Sequence, residues 1–234
     1  MERVIIPIEL LQQELVVLMD GTSLSKARLA MVMIHGRGAT AADILSLQTE
    51  LEAEGIAYLA PQAKGNSWYP YSFLAPLAHN EPALSNSLAV IGGVLTYLRE
   101  QGIDPSQIML LGFSQGACLS LEYAARHAQR YAGIVGLSGG LIGPDETPRN
   151  YSGSLEGTPV FLGCSTTDFH IPKERVDETQ VVLEGLGGRV TKRLYPNMGH
   201  TINLDEIYFV RTMVQSAVNQ PKGAWRVKQR TTSS

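Results

Sequence analysis

The chain has 234 residues, of which 44% are hydrophobic and 18% charged, with a formal net charge of −3. That length suits one large domain with its own core, and the composition is that of an ordinary globular chain, not a disordered or collagen-like one. The charge gives no global attraction for nucleic acid, no run of about 18 apolar residues is present to form a membrane span, and two cysteines make no disulfide framework.

The first fifteen residues, MERVIIPIELLQQEL, carry early acids and a proline and no small-residue cleavage site, so a cytoplasmic chain is expected. Residues 14–20 read as the opening strand, with Asp20-Gly21 as a turn. Leu29–Ile34 is a continuous apolar run, the mark of a strand buried on both faces, and it stops at His35-Gly36-Arg37-Gly38. A helix capped by Asp43 is expected next, with Leu47 and Leu51 repeating along it and Gly55 ending it. Ile56–Pro61 reads as a strand.

Residues 62–82 break the pattern. Trp68, Tyr69, Tyr71 and Phe73 lie close together among prolines, without periodicity. A loop of this length usually serves function, and its aromatics argue against disorder. They form either a pocket wall or a small core beneath the loop.

Leu84, Leu88, Ile91, Leu95 and Leu98 recur at steps of four and three, which predicts a helix closed by Gly102. Strands are expected at 107–113, 131–137, 159–164 and 190–195, and helices from Ser114 to near His127, at 173–186 and at 204–217. Residues 141–157 read as loop. This alternation predicts one α/β domain over residues 1–220, with a mostly parallel central sheet and helices on both faces. Residues 221–234 form a basic, polar tail, read as a frayed terminus or as one from which Trp225 packs back.

Gly112-Phe113-Ser114-Gln115-Gly116 is a G-x-S-x-G segment directly between an expected buried strand and an expected helix, the context of a nucleophile elbow. So tight a turn leaves no room for side chains two positions either side of Ser114. A serine hydroxyl needs a base. His200 follows the last strand, which puts it at the same carboxyl edge of the sheet as Ser114. Asp168 follows the strand at 159–164 and is the candidate to orient His200, with Asp145, Asp205 and Glu206 as competing acids. The order Ser114, Asp168, His200 is that of the α/β-hydrolases. An oxyanion needs donors: the Gln115 backbone N–H is one, and the second is assigned to the Arg37 N–H, with Gly38 as runner-up. The Arg37 side chain is read as solvated or as meeting an acidic group on a substrate.

These motifs resemble the phospholipase/carboxylesterase branch of the α/β-hydrolases, which includes acyl-protein thioesterases and small bacterial carboxylesterases. The resemblance spans about residues 28–218. It rests on His35-Gly36-x-Gly38, Pro61, Gly112-Phe113-Ser114-Gln115-Gly116, Asp168-x-x-Ile171-Pro172 and Gly199-His200. It implies an α/β-hydrolase fold and a serine hydrolase acting on small or short-acyl carboxylic esters, with thioesters or lysophospholipids as further classes. Members often form homodimers.

Gly36, Gly38, Trp68, Tyr71, Phe73, His79 and His170 are the candidate pocket residues. Neither an HExxH motif nor closely spaced cysteine ligands occur, and Gly36-x-Gly38 lacks the third glycine of a dinucleotide fingerprint, so no metal or other cofactor is expected. Cys118 and Cys164 read as buried and inert. Two other readings stay open on the same scaffold: a dienelactone-hydrolase-like activity, which normally wants a cysteine where Ser114 stands, and a catalytically silent binding module.

Overall fold

In the computed structural model the described residues are 1–8, 11–51 and 53–220. The tail at 221–234, with Trp225, lies outside them. Among the described residues the strands are β1 (Glu2–Ile8), β2 (Gln13–Gly21), β3 (Leu29–Ile34), β4 (Ile56–Pro61), β5 (Ile108–Phe113), β6 (Gly133–Leu137), β7 (Pro159–Ser165) and β8 (Arg189–Tyr195). They form one sheet in the order β1-β2-β4-β3-β5-β6-β7-β8. The first two strands join antiparallel, and the other six run parallel to one another. This is the α/β-hydrolase fold.

The continuous apolar runs are explained by the two faces of this sheet. Along β3, Ala30, Val32 and Ile34 join one core while Leu29, Met31 and Met33 join the other. The first core packs against α4 (Ala83–Glu100), α5 (Gln115–Arg126) and α6 (Lys173–Gly185). The second packs against α1 (Ala41–Leu45), α2 (Gln48–Leu51) and α7 (Leu204–Val218). A strand so covered has no polar face to show, which is why it reads as an unbroken run. Among the described residues, no helix is long and apolar enough to cross a membrane.

Three expectations are corrected. The opening strand is β1, not the segment at 14–20, which is the second strand. β1 lies at the sheet edge, where Pro7 costs no ladder bond on its free side. The single helix expected after residue 43 is two short ones, and its cap is Thr40. The Thr40 hydroxyl accepts from the Asp43 N–H at 3.2 Å, and the Asp43 carboxylate accepts from the Thr40 N–H at 2.7 Å, so Asp43 is the third helical residue of a capping box. The stretch 62–82 contains a one-turn helix, α3 (Leu77–Asn80), and a 3-10 turn at Lys64–Asn66. Trp68, Tyr69 and Phe73 are buried in the first core, so most of the aromatic cluster is core beneath the loop.

The parallel strands end at one edge. The segments that follow β3, β5, β7 and β8 carry Arg37, Ser114, Asp168 and His200 respectively.

Candidate active site

The chain turns sharply at Ser114, whose φ of 55° and ψ of −120° lie outside the regions that L-residues ordinarily adopt. The flanking glycines make that turn possible. A Cβ on Gly112 would stand 2.2 Å from the Gly116 carbonyl oxygen, and one on Gly116 would stand 2.1 Å from the Ile34 carbonyl oxygen. The Ser114 N–H donates to the Leu137 carbonyl at 2.9 Å, and the Ser114 carbonyl accepts from the Cys118 N–H at 3.0 Å. The elbow is thus tied to β6 and to the first turn of α5 while its hydroxyl faces the edge.

That hydroxyl begins a chain of hydrogen bonds. Ser114 Oγ lies 2.7 Å from His200 Nε2, and His200 Nδ1 lies 2.8 Å from Asp168 Oδ2. The other carboxylate oxygen of Asp168 accepts from the backbone N–H groups of His170 (2.8 Å) and Ile171 (3.1 Å). Burial by itself raises the Asp168 pKa, but the bonds from His200 and these amides outweigh it and hold the group below the usual carboxylate range. An ionised Asp168 only accepts, so His200 Nδ1 is the donor and Nε2 is left to accept the Ser114 proton. The His200 ring is flanked by Phe113 (centroids 5.1 Å apart) and by the edge of His170 (4.9 Å). The Ser165 hydroxyl donates to the Met198 carbonyl and so fastens the loop before His200 to the end of β7.

The competing acids lie elsewhere. Asp145 pairs with Arg175 at 2.8 Å, and Asp205 with Arg193 and the Tyr195 hydroxyl. Glu206 accepts from the Asn203 N–H at 2.8 Å.

The backbone N–H groups of Arg37 and Gln115, the two expected donors, make no hydrogen bond among the described residues. Gln115 opens α5, so its N–H is one of the unpaired donors at the positive helix end. The Gly38 N–H, by contrast, is taken by the Asn66 carbonyl at 2.7 Å. His35 stands fully buried behind this loop. Its Nε2 accepts from the Ala63 N–H at 3.1 Å, so its Nδ1 donates to the Gly36 carbonyl at 2.7 Å. Burial lowers its pKa, with the Gly36 bond opposing, which suits a neutral ring that props the loop.

The Phospholipase/Carboxylesterase family model matches residues 22–218. The chain belongs to that family of α/β-hydrolases. A solved phospholipase/carboxylesterase from Dyadobacter fermentans is 46% identical, with a TM-score of 0.83 over 85% of this chain and 95% of that one. Acyl-protein thioesterase 1 of Gibberella zeae is 33% identical over 120 residues, 46% of this chain, and the match spans about half (48%) of that relative's length. Acyl-protein thioesterase 1 of Emericella nidulans is 27% identical over 213 residues, 79% of this chain and 88% of that protein.

In this phospholipase/carboxylesterase family member the expected pocket residues fall into two groups. Gly36 and His170 lie beside the serine and histidine, Gly36 so close that a Cβ there would come within 3.4 Å of Ser114 Cβ, while Gly38 is exposed with open space around it. Trp68 and Phe73 belong to the core, and the Trp68 indole N–H donates to the His35 carbonyl at 2.8 Å. Tyr71 is exposed, with the His79 ring 6.0 Å from its own. The exposed Arg37 guanidinium bonds to main-chain carbonyls of the aromatic loop. Sequence reading missed this role and the matching one of the Gln115 side chain, since their partners are backbone groups that leave no mark in the residue pattern. Among the described residues no three His, Cys, Asp or Glu side chains stand close enough to hold a metal ion. Both cysteines are buried, and burial pushes each thiol up to about 12.

Glu206 is fully buried at the start of α7, the helix that follows His200. Its Oε1 has no hydrogen-bond partner and presses on Gly163, where a Cβ would stand 2.1 Å away. Burial pushes its carboxyl up to about 7 from an ordinary 4.5. The native protein therefore keeps a proton that the unfolded chain releases above 4.5. The stability linked to this group is fully present below pH 4.5 and is lost as pH rises from 4.5 to about 7. The loss is on the order of 3 kcal/mol. The urea midpoint should fall between pH 5 and pH 8, and the fall should shrink in Glu206→Gln, which stays neutral throughout. Equal falls in the two proteins would rule out this group as the cause.

Proposed function

We propose that the protein is a serine carboxylesterase that hydrolyses small or short-acyl carboxylic esters through a covalent acyl-enzyme. The carrying observation is the unbroken chain Ser114 Oγ to His200 Nε2 (2.7 Å) and His200 Nδ1 to Asp168 Oδ2 (2.8 Å). Ser114 Oγ attacks the ester carbonyl while His200 Nε2 takes its proton. Negative charge gathers on the carbonyl oxygen, where the Arg37 and Gln115 N–H groups receive it. The carbon–oxygen bond to the alcohol breaks, and the alcohol leaves with the proton from His200. Water then loses a proton to the same nitrogen, attacks the acyl carbon and releases the carboxylic acid, and the proton returns to Ser114. Asp168 stays ionised and balances the imidazolium in both steps.

A thioester substrate class is the second reading, because two aligned relatives carry the name acyl-protein thioesterase. A fluorophosphonate probe tests the shared chemistry: it should label wild-type protein at Ser114 and leave Ser114→Ala unlabelled. Folded wild-type protein that neither takes the probe nor turns over any ester would overturn the proposal in favour of a binding module. A panel of p-nitrophenyl esters and matched thioesters of graded length then separates the substrate classes. Rates peaking at about two to four acyl carbons mark a small pocket, since each methylene a pocket accepts or rejects changes the rate about 10-fold or more.

A further inference from the structure

The two residues whose N–H groups face the developing charge in the mechanism above use their side chains to hold one stretch of backbone, residues 67–71. Arg37 Nη1 donates to the Pro70 carbonyl at 2.8 Å and to Ser67 Oγ at 3.3 Å, and Nη2 donates to the Tyr71 carbonyl at 2.6 Å. Gln115 Oε1 accepts from the Trp68 N–H at 2.9 Å, and Nε2 donates to the Tyr69 carbonyl at 2.8 Å. The three successive carbonyls of Tyr69, Pro70 and Tyr71 are thus all taken by these two side chains. Ser67 stands between them, its hydroxyl 3.0 Å from the Tyr69 carbonyl and 3.5 Å from Gln115 Oε1.

The stretch is itself anchored from behind. The Trp68 indole N–H reaches the His35 carbonyl, and the Ser87 hydroxyl on α4 donates to the Trp68 carbonyl at 2.6 Å. Arg37 and Gln115 each lie three residues past the Ile34–Gly112 pair at the end of the β3–β5 ladder, beyond the reach of the sheet's own bonds. Residues 67–71 bridge them.

We infer that residues 67–71 are a positioning strap: through the Arg37 and Gln115 side chains they set the spacing and aim of the two backbone donors. Arg37 and Gln115 are then positioning residues through their side chains, apart from what their amides do. The inference rests on the acyl-transfer reading above. It has a clean handle, because the donor N–H belongs to the main chain. Truncating either side chain leaves both donors in place and removes only a tether. A preorganised donor works only at the correct distance, and misplacement of about 1 Å costs up to 100-fold.

The test compares Arg37→Ala, Gln115→Ala and the double variant on a p-nitrophenyl ester. A boronic acid that forms a tetrahedral adduct with Ser114 serves as the transition-state probe. Each single variant should lose about 10-fold in kcat with KM within about twofold of wild type, and boronate affinity should fall by the same factor. The double variant should fall little below the worse single one, because both tethers hold one strap. Arg37→Lys, which cannot reach two carbonyls at once, should recover only part of the loss. Should Gln115→Ala fail to fold, exposed Arg37→Ala and Ser67→Ala carry the same comparison.

A raised KM with unchanged kcat would overturn the inference, since the stretch would then only wall the pocket. So would a double variant that loses the product of the two single factors. Failure of the underlying reading looks different: ester turnover would survive in Ser114→Ala. A dead Ser114→Ala beside tether variants with wild-type kcat sinks the strap alone.

Discussion

Ser114→Ala should lower kcat for ester hydrolysis about 10⁶-fold, and Asp168→Asn about 10⁴-fold, with KM little changed in either. The first change removes the oxygen proposed to attack. The second acts through the ring. An asparagine carbonyl can still accept from the His170 and Ile171 N–H groups, which now bind Asp168 Oδ1. Its NH₂ would then face His200 Nδ1, where the carboxylate now stands at 2.8 Å. Two donors cannot face each other, so His200 would move its proton to Nε2 and point it at Ser114. A base in that tautomer has no lone pair for the serine proton. Steady-state kinetics on a short p-nitrophenyl ester, with thermal melts to show that both variants fold, checks the pair. An Asp168→Asn enzyme within 100-fold of wild type would remove Asp168 from its proposed role.

Gly116→Ala should destabilise the fold by about 3 kcal/mol or more, or prevent folded protein from accumulating. Its methyl group would stand 2.1 Å from the Ile34 carbonyl oxygen and 2.6 Å from that of His35. Both are main-chain atoms of the loop and strand that hold Arg37, so no side chain can swing aside. Gly38→Ala is the matched control. Its φ is +79°, but nothing lies within 4 Å of the added carbon. It should lose only the backbone cost of a left-handed alanine, about 1–2 kcal/mol. Urea unfolding followed by tryptophan fluorescence measures both. Equal midpoints for the two variants would show that the contact at Gly116 is relieved by a shift of the main chain.

The interior strands were legible because burial on both faces leaves a continuous apolar run between glycines and prolines: β3 and β4 fall where the residue pattern puts them. β1 was not legible. It buries Ile6 and Ile8 in the core with Val4 half-buried against it, exposes Ile5 and contains a proline, so its residue types show neither an unbroken run nor a clean alternation. The meeting of Ser114, Asp168 and His200 was legible because each follows a strand of a parallel sheet, and parallel strands deliver their ends to one edge. The choice of Arg37 over Gly38 as second donor was open in the sequence. The structure shows the Gly38 N–H engaged by Asn66, which favours the proposed Arg37 donor, and that contact between loops is not encoded by residue types. The aromatic stretch was hidden for the same reason. Trp68 finds its partners at His35, Ser87 and Gln115, far apart in the chain and near only once the sheet has formed.

The strand order has a consequence for how activity is lost. Ser114 follows β5, flanked by strands on both sides and covered by α5, whereas His200 lies between β8 and α7. β8 is one of the two outer strands, paired only with β7, and its residues are half-buried or exposed. Outer strands open at lower free energy than interior ones. The hydrogen-bonded chain from Ser114 to His200 therefore joins an interior strand of the sheet to an outer one. Under mild denaturant the rim can detach and carry His200 away while the centre holds, so on the proposed mechanism turnover should report the integrity of the margin, not of the whole domain.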